Sequence, residues 1–152
     1  MFKFHARLID TPNEQALLEK FGLQPGGRVQ RVINDAIIRE CRPYVPASPD
    51  RALEGSVISD VENGQVIWNT PYAHYQYMGI VYGPNIPIID PETGVIMGWF
   101  SPPGRPKHPT DRELTYDTRQ NSMAGPYWFE RMKADKLNDI LDEARKALKE
   151  GE

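Results

Sequence analysis

The sequence predicts an α+β fold: a small antiparallel sheet with two N-terminal helices, a long C-terminal helix, an extended hairpin and a proline-rich loop. Three observations carry that prediction. Apolar residues recur at helical spacing near both ends of the chain, over 29–41 and 127–148. Between them lie short β-branched runs punctuated by Asn-Gly and Asp-Pro-Glu-Thr-Gly turn sequences. The 14 prolines gather in the middle and late parts, where they end regular elements. At 152 residues the chain has the length of one domain, 1–152, and is long enough to bury a core. Residues 83–125 read as a hairpin and loop extension of that domain.

Taken in order, Thr11-Pro12-Asn13-Glu14 has the form of a helix start, with Thr11 as cap, Pro12 in the first turn and Glu14 closing a capping box. Ala16, Leu17, Leu18 and Phe21 supply an apolar face, and Gly22 is placed to end the helix. A second helix begins near 26–28; Val29, Val32, Ile33, Ala36, Ile37 and Cys41 line one face, and Pro43 stops it. Ser56–Glu62 and Gln65–Asn69 then read as a hairpin turning through Asn63-Gly64, a pair suited to a type I′ turn. The aromatic-rich stretch 71–79 suits a short helix. A second hairpin pairs Ile86–Ile89 with Val95–Phe100 through the 90–94 turn. Residues 101–125 form a long loop with a weak strand at Leu114–Thr118. A helix opening at Pro126 runs to near Lys149, with Arg145, Lys146 and Lys149 favouring its C-terminal dipole.

Composition excludes several classes. The net charge is −3 and no segment concentrates Lys and Arg, so a phosphate-gripping nucleic-acid surface is not expected. No apolar run reaches the roughly 18–20 residues a bilayer requires, so no membrane partner is expected. The segment Met1–Arg7 lacks the apolar core of a secretory signal, so export by that route is not expected either. The lone cysteine, Cys41, rules out an intrachain disulfide and a cysteine-rich metal site, which fits a reducing cytoplasm.

Chemistry-bearing patterns are sparse. His5, His74 and His108 show no metal-ligand spacing. Cys41 and His74 are the residue types of a nucleophile–base pair, but Cys41 sits on the apolar face of a helix, where a free thiol packs as a small hydrophobe. Asp111, Glu113 and Asp117 are an acidic group that would suit a divalent ion, or equally a solvated loop. Gly26-Gly27 lacks the Lys-Ser or Lys-Thr of a phosphate loop. The expectation is therefore a non-enzyme with no catalytic residues, no metal and no cofactor. Aromatic placement is more informative. Trp68, Trp128 and Phe129 are expected in the core. Tyr72, Tyr75, Tyr77, Trp99 and Phe100 are the candidate interface residues, because large amphipathic rings dominate protein–protein contacts; core packing stands open beside that reading for Tyr75, Tyr77, Trp99 and Phe100.

Several blocks together resemble a known family. Pro43-Tyr44-Val45-Pro46, then Leu53 and Ser56, then Gly64-Gln65-Val66-Ile67-Trp68-Asn69-Thr70-Pro71-Tyr72-Ala73-His74-Tyr75-Gln76-Tyr77-Met78-Gly79 resemble the tailed-phage minor capsid proteins of the head–tail connector and tail-completion group. Trp128-Phe129-Glu130-Arg131-Met132-Lys133 matches a Trp-Phe-Glu-x-x-Lys signature near the end of such proteins. The resemblance covers roughly residues 43 to 145. Pro49-Asp50-Arg51-Ala52 replaces a Thr-Gly turn of the family, and the insert from Pro84 to Pro109 is longer than a minimal member has.

The resemblance implies a virion protein, assembled in the host cytoplasm, that forms a ring at the head–tail junction (neck or tail completion) through which DNA passes. Its implied partners are copies of itself, the adjoining portal, adaptor or stopper, and tail-tube or terminator proteins. A mildly acidic chain also suits a conduit along which DNA slides without sticking. Two other classes stand beside it. One is a small metal-dependent hydrolase or nuclease using Asp111, Glu113 and Asp117, with His108. The other is an intracellular module whose tyrosine-rich stretch takes a peptide.

Overall fold

The computed structural model describes residues 1–3 and 14–150; the expected capping box at Thr11-Pro12-Asn13 lies outside them. The elements run β1 (Phe2–Lys3), α1 (Glu14–Phe21), α2 (Arg28–Cys41), α3 (Ala52–Gly55), β2 (Val57–Asp60), β3 (Gln65–Trp68), α4 (Ala73–Met78), β4 (Ile80–Gly83), β5 (Ile86–Ile89), β6 (Ile96–Phe100), β7 (His108–Glu113) and α5 (Trp128–Lys149). The α+β class holds, but the strands form three small antiparallel sheets, ordered β1-β3-β2, β4-β7 and β5-β6.

The helical frame follows from the apolar spacing. Gly22, at φ +69°, ends α1 as the sequence predicts: the Leu23 N–H donates to Leu18 O at 2.7 Å and the Gly22 N–H to Glu19 O at 3.1 Å. Helix α2 buries Val29, Ala36 and Cys41 against α5, which contributes Trp128, Met132, Ile140, Ala144 and Ala147. The Arg28 guanidinium at the start of α2 donates to Ala147 O through Nε (3.0 Å) and Nη2 (2.7 Å), satisfying a carbonyl in the last turn of α5.

The β2–β3 hairpin closes the other side of the core, with Val66 and Trp68 buried. Its register pairs Asp60 with Gln65, so residues 61–64 make a four-residue turn rather than the predicted two-residue type I′ turn. Only Gly64 takes positive φ (+62°), and Asn63 does not, because the Asp60 carboxylate accepts both the Asn63 N–H (3.1 Å) and its side-chain amide (2.8 Å). Buried Asn34 fastens α2 to this hairpin: its Nδ2 donates to Ser59 Oγ (3.2 Å) and Gln65 O (3.1 Å), while its Oδ1 accepts from Gln30 Nε2 (2.9 Å).

The weak strand expected at Leu114–Thr118 is displaced upstream. The strand is β7, pairing Glu113 with Ile80, Pro109 with Tyr82 and His108 with Gly83. Pro109 is tolerated because each strand of a two-stranded sheet is an edge. The rest of the predicted loop is not free. Tyr116 donates to Gln76 O at 2.6 Å, Asn121 Nδ2 to Val45 O at 2.8 Å, and the Met123 and Gly125 N–H groups to Pro43 O and Tyr44 O at 3.2 Å each.

Candidate functional site

The five candidate interface residues divide. Tyr77 is only 2% exposed and is corrected to a core residue: its ring packs edge-on against Trp128 (centroids 4.6 Å apart) and Tyr127 (5.5 Å). Helix α4 aims it inward because Ala73 and Tyr77, four residues apart, share its buried face. Tyr75 is half-buried in a surface cluster with Tyr82 (4.7 Å) and His74 (5.7 Å). Tyr72 is 40% exposed, Trp99 52% and Phe100 51%. Trp68 and Trp128 are core, as expected, with ring centroids 5.7 Å apart.

Trp99 and Phe100 belong to a larger feature. The β5–β6 hairpin pairs Ile86 with Phe100, Pro87 with Trp99, Ile88 with Gly98 and Ile89 with Ile96. Residues 86–89 and 95–100 contain no charged side chain. Ile86, Ile88, Ile89, Val95, Ile96, Met97, Trp99 and Phe100 are all exposed, Met97 to 72%. Both faces of this two-stranded sheet are therefore apolar and open, and none of these residues joins the buried core. Together they leave on the order of 800 Å² of accessible surface, close to what one partner gives to a standard-size protein interface. Exposed apolar patches of that extent mark interaction sites.

Local contacts hold the hairpin in shape. The Asp90 carboxylate accepts the N–H of Glu92 at 2.8 Å and of Thr93 at 3.4 Å, bonds that lower its pKa, and Asp90 N–H donates to Val95 O at 2.9 Å. At the base, the Arg112 guanidinium from β7 lies 5.1 Å from the Trp99 ring centroid, and Lys107 Nζ donates to Asn85 Oδ1 at 2.9 Å. The sequence marked only Trp99 and Phe100 here. The uncharged run from Val95 to Phe100 was the signal for the rest.

A second surface feature is a groove of about 380 Å³ beside Tyr72, lined by Pro46, Ala47, Pro49, Leu53 and Tyr116 among others. Burial pushes the Tyr116 hydroxyl up to about 12, and it stays a hydrogen-bond donor to Gln76 O. At one edge Asp117 pairs with Arg119 (2.6 Å), and that bond draws the Asp117 carboxyl down to about 2.

The chemical alternatives find little geometry. Asp111 and Glu113 share one side of β7, both exposed, while Asp117 is engaged by Arg119. Among the described residues no group of three or more His, Cys, Asp or Glu side chains is gathered at metal-binding geometry. Cys41 is fully buried, and that burial pushes its thiol pKa well up, whereas His74 is exposed. No helix among the described residues is long and apolar enough to cross a membrane.

No protein-family model, curated protein or solved structure matches the chain. Tyr44, Val45, Trp68, Ala73, Tyr77 and Trp128 form one buried cluster.

Proposed function

We propose that this chain is a structural, non-enzymatic subunit of a tailed-phage particle, part of a ring at the head–tail junction through which DNA passes. The observation that carries the reading is the β5–β6 hairpin, an uncharged apolar arm open on both faces. An isolated two-stranded hairpin is marginal in water, so an arm of this composition gains its stability from what covers it. The resemblance of the Pro-Tyr-Val-Pro, Pro-Tyr-Ala and Trp-Phe-Glu blocks supplies the setting. Neighbouring copies and the rings above and below are the surfaces that cover the arm, and the negative net charge suits passage of DNA.

The test is recruitment. Purified protein mixed with disrupted phage necks co-sediments with them, and a chain in which 86–100 is replaced by a short Gly-Ser turn does not. Equal recruitment of both would remove the arm from the account. A wild-type chain that ignores necks would remove the junction.

A further inference from the structure

We propose that the upper part of one copy's β5–β6 hairpin docks into the groove beside Tyr72 on a second copy, in a head-to-tail contact. The inference rests on the assembly reading and names the partner and the seat of the arm. The hairpin narrows the choice of occupant. Its turn carries Asp90 and Glu92, so a lipid surface or a nucleic acid would meet negative charge first. The apolar part behind that turn calls for a protein surface with an apolar hollow and a cation at its edge.

This chain has such a surface. The groove's walls come from three segments, at 46–53, 72–76 and 115–117, none of them in the hairpin. It is formed in advance: Ala47 is buried, Pro46 and Pro49 have fixed φ, and Tyr116 is tied to Gln76 O at 2.6 Å. Pre-formed walls remove ordering entropy from the cost of association. One exposed arginine sits at its edge: Arg119 binds the lining residue Asp117 through Nε and Nη2. A guanidinium has five N–H donors, so Arg119 retains capacity for a second carboxylate, supplied here by Asp90 or Glu92 of the incoming turn. Ile96 and Met97 lie next to that turn and are the side chains placed to enter the hollow. Trp99 is less suited, since its ring already carries Arg112. Donor and acceptor use different residues, so one copy can give and receive at once. Such a contact propagates, and closes into a ring when the rotation allows.

Complementation tests it. A hairpin variant, Ile96→Asp with Met97→Asp, and a groove variant, Thr115→Trp, alter exposed side chains outside the core, and an unchanged helical circular dichroism signal shows that each folds. Each alone should self-associate about 30-fold or more weakly than wild type, the size of a hot-spot loss. Mixed in equal amounts, they should form a 1:1 heterodimer and nothing larger, because each keeps one working half. A wild-type chain that associates while the mixture stays monomeric would overturn the head-to-tail contact and leave assembly intact. A wild-type chain that stays monomeric at every concentration would overturn the second copy as occupant, and neck recruitment then decides the broader reading.

Discussion

Asn34 shows how much the single residue decides in this fold. It is 1% exposed on α2, and three hydrogen bonds join it to Gln30, Ser59 and Gln65. Asn34→Ala removes the donor from Gln65 O, which is half-buried, and from Ser59 Oγ, which is exposed and can turn to water, at a cost of about 1–2 kcal/mol. Urea titration should show the midpoint falling with the slope unchanged. Cys41 makes a complementary case. It is fully buried in the main core cluster, and its thiol is held protonated. It should resist a thiol reagent in the native protein and react at once in denaturant. Fast native labelling would contradict its place in the core. Trp99 offers a third readout. Of the three tryptophans, Trp68 and Trp128 are buried and Trp99 is half exposed. Iodide should quench the Trp99 share of the emission in the free protein and lose that access on assembly.

Among the elements, the ones legible in the sequence are those with a strong period or an unambiguous stop. Helices α2 and α5, the Gly22 terminus and the β5–β6 hairpin with its Asp90 turn follow from apolar spacing and turn chemistry. What escaped depends on partners distant in the chain. β1 exists through its pairing with β3, and β7 starts at His108 because β4 sets its register, against the stronger local preference of Leu114–Thr118. Asn34 sits outside the apolar stripe and gives no local sign of its role. For the site, Tyr72, Tyr77, Trp99 and Phe100 look alike in the sequence as large rings that suit an interface or a core; Tyr72, Trp99 and Phe100 are exposed and Tyr77 is core. The groove joins three separated segments and has no sequence signature. Segment 114–125 is stitched to the body through Gly79, Val45, Pro43 and Tyr44. Limited proteolysis of the free protein should therefore cut at 90–94 and 101–107 and spare 114–125. A first cut near Asn121 would contradict the bonds that anchor it.

On the scale of the whole molecule, the chain divides its work. A core built from α2, α5, β3 and the residues after Cys41 holds the fold, and the arm from Ile86 to Phe100 adds nothing to that core. Replacing the arm should leave the urea midpoint of the body unchanged while removing association.

The central claim is that this protein acts by associating through its apolar arm. The most direct test is the solution mass, by light scattering across a concentration series, of the wild-type chain and the arm-replaced chain. The account predicts a wild-type mass that climbs to a defined multiple of the chain and an arm-replaced mass that stays at one. Identical masses for the two at every concentration would contradict it.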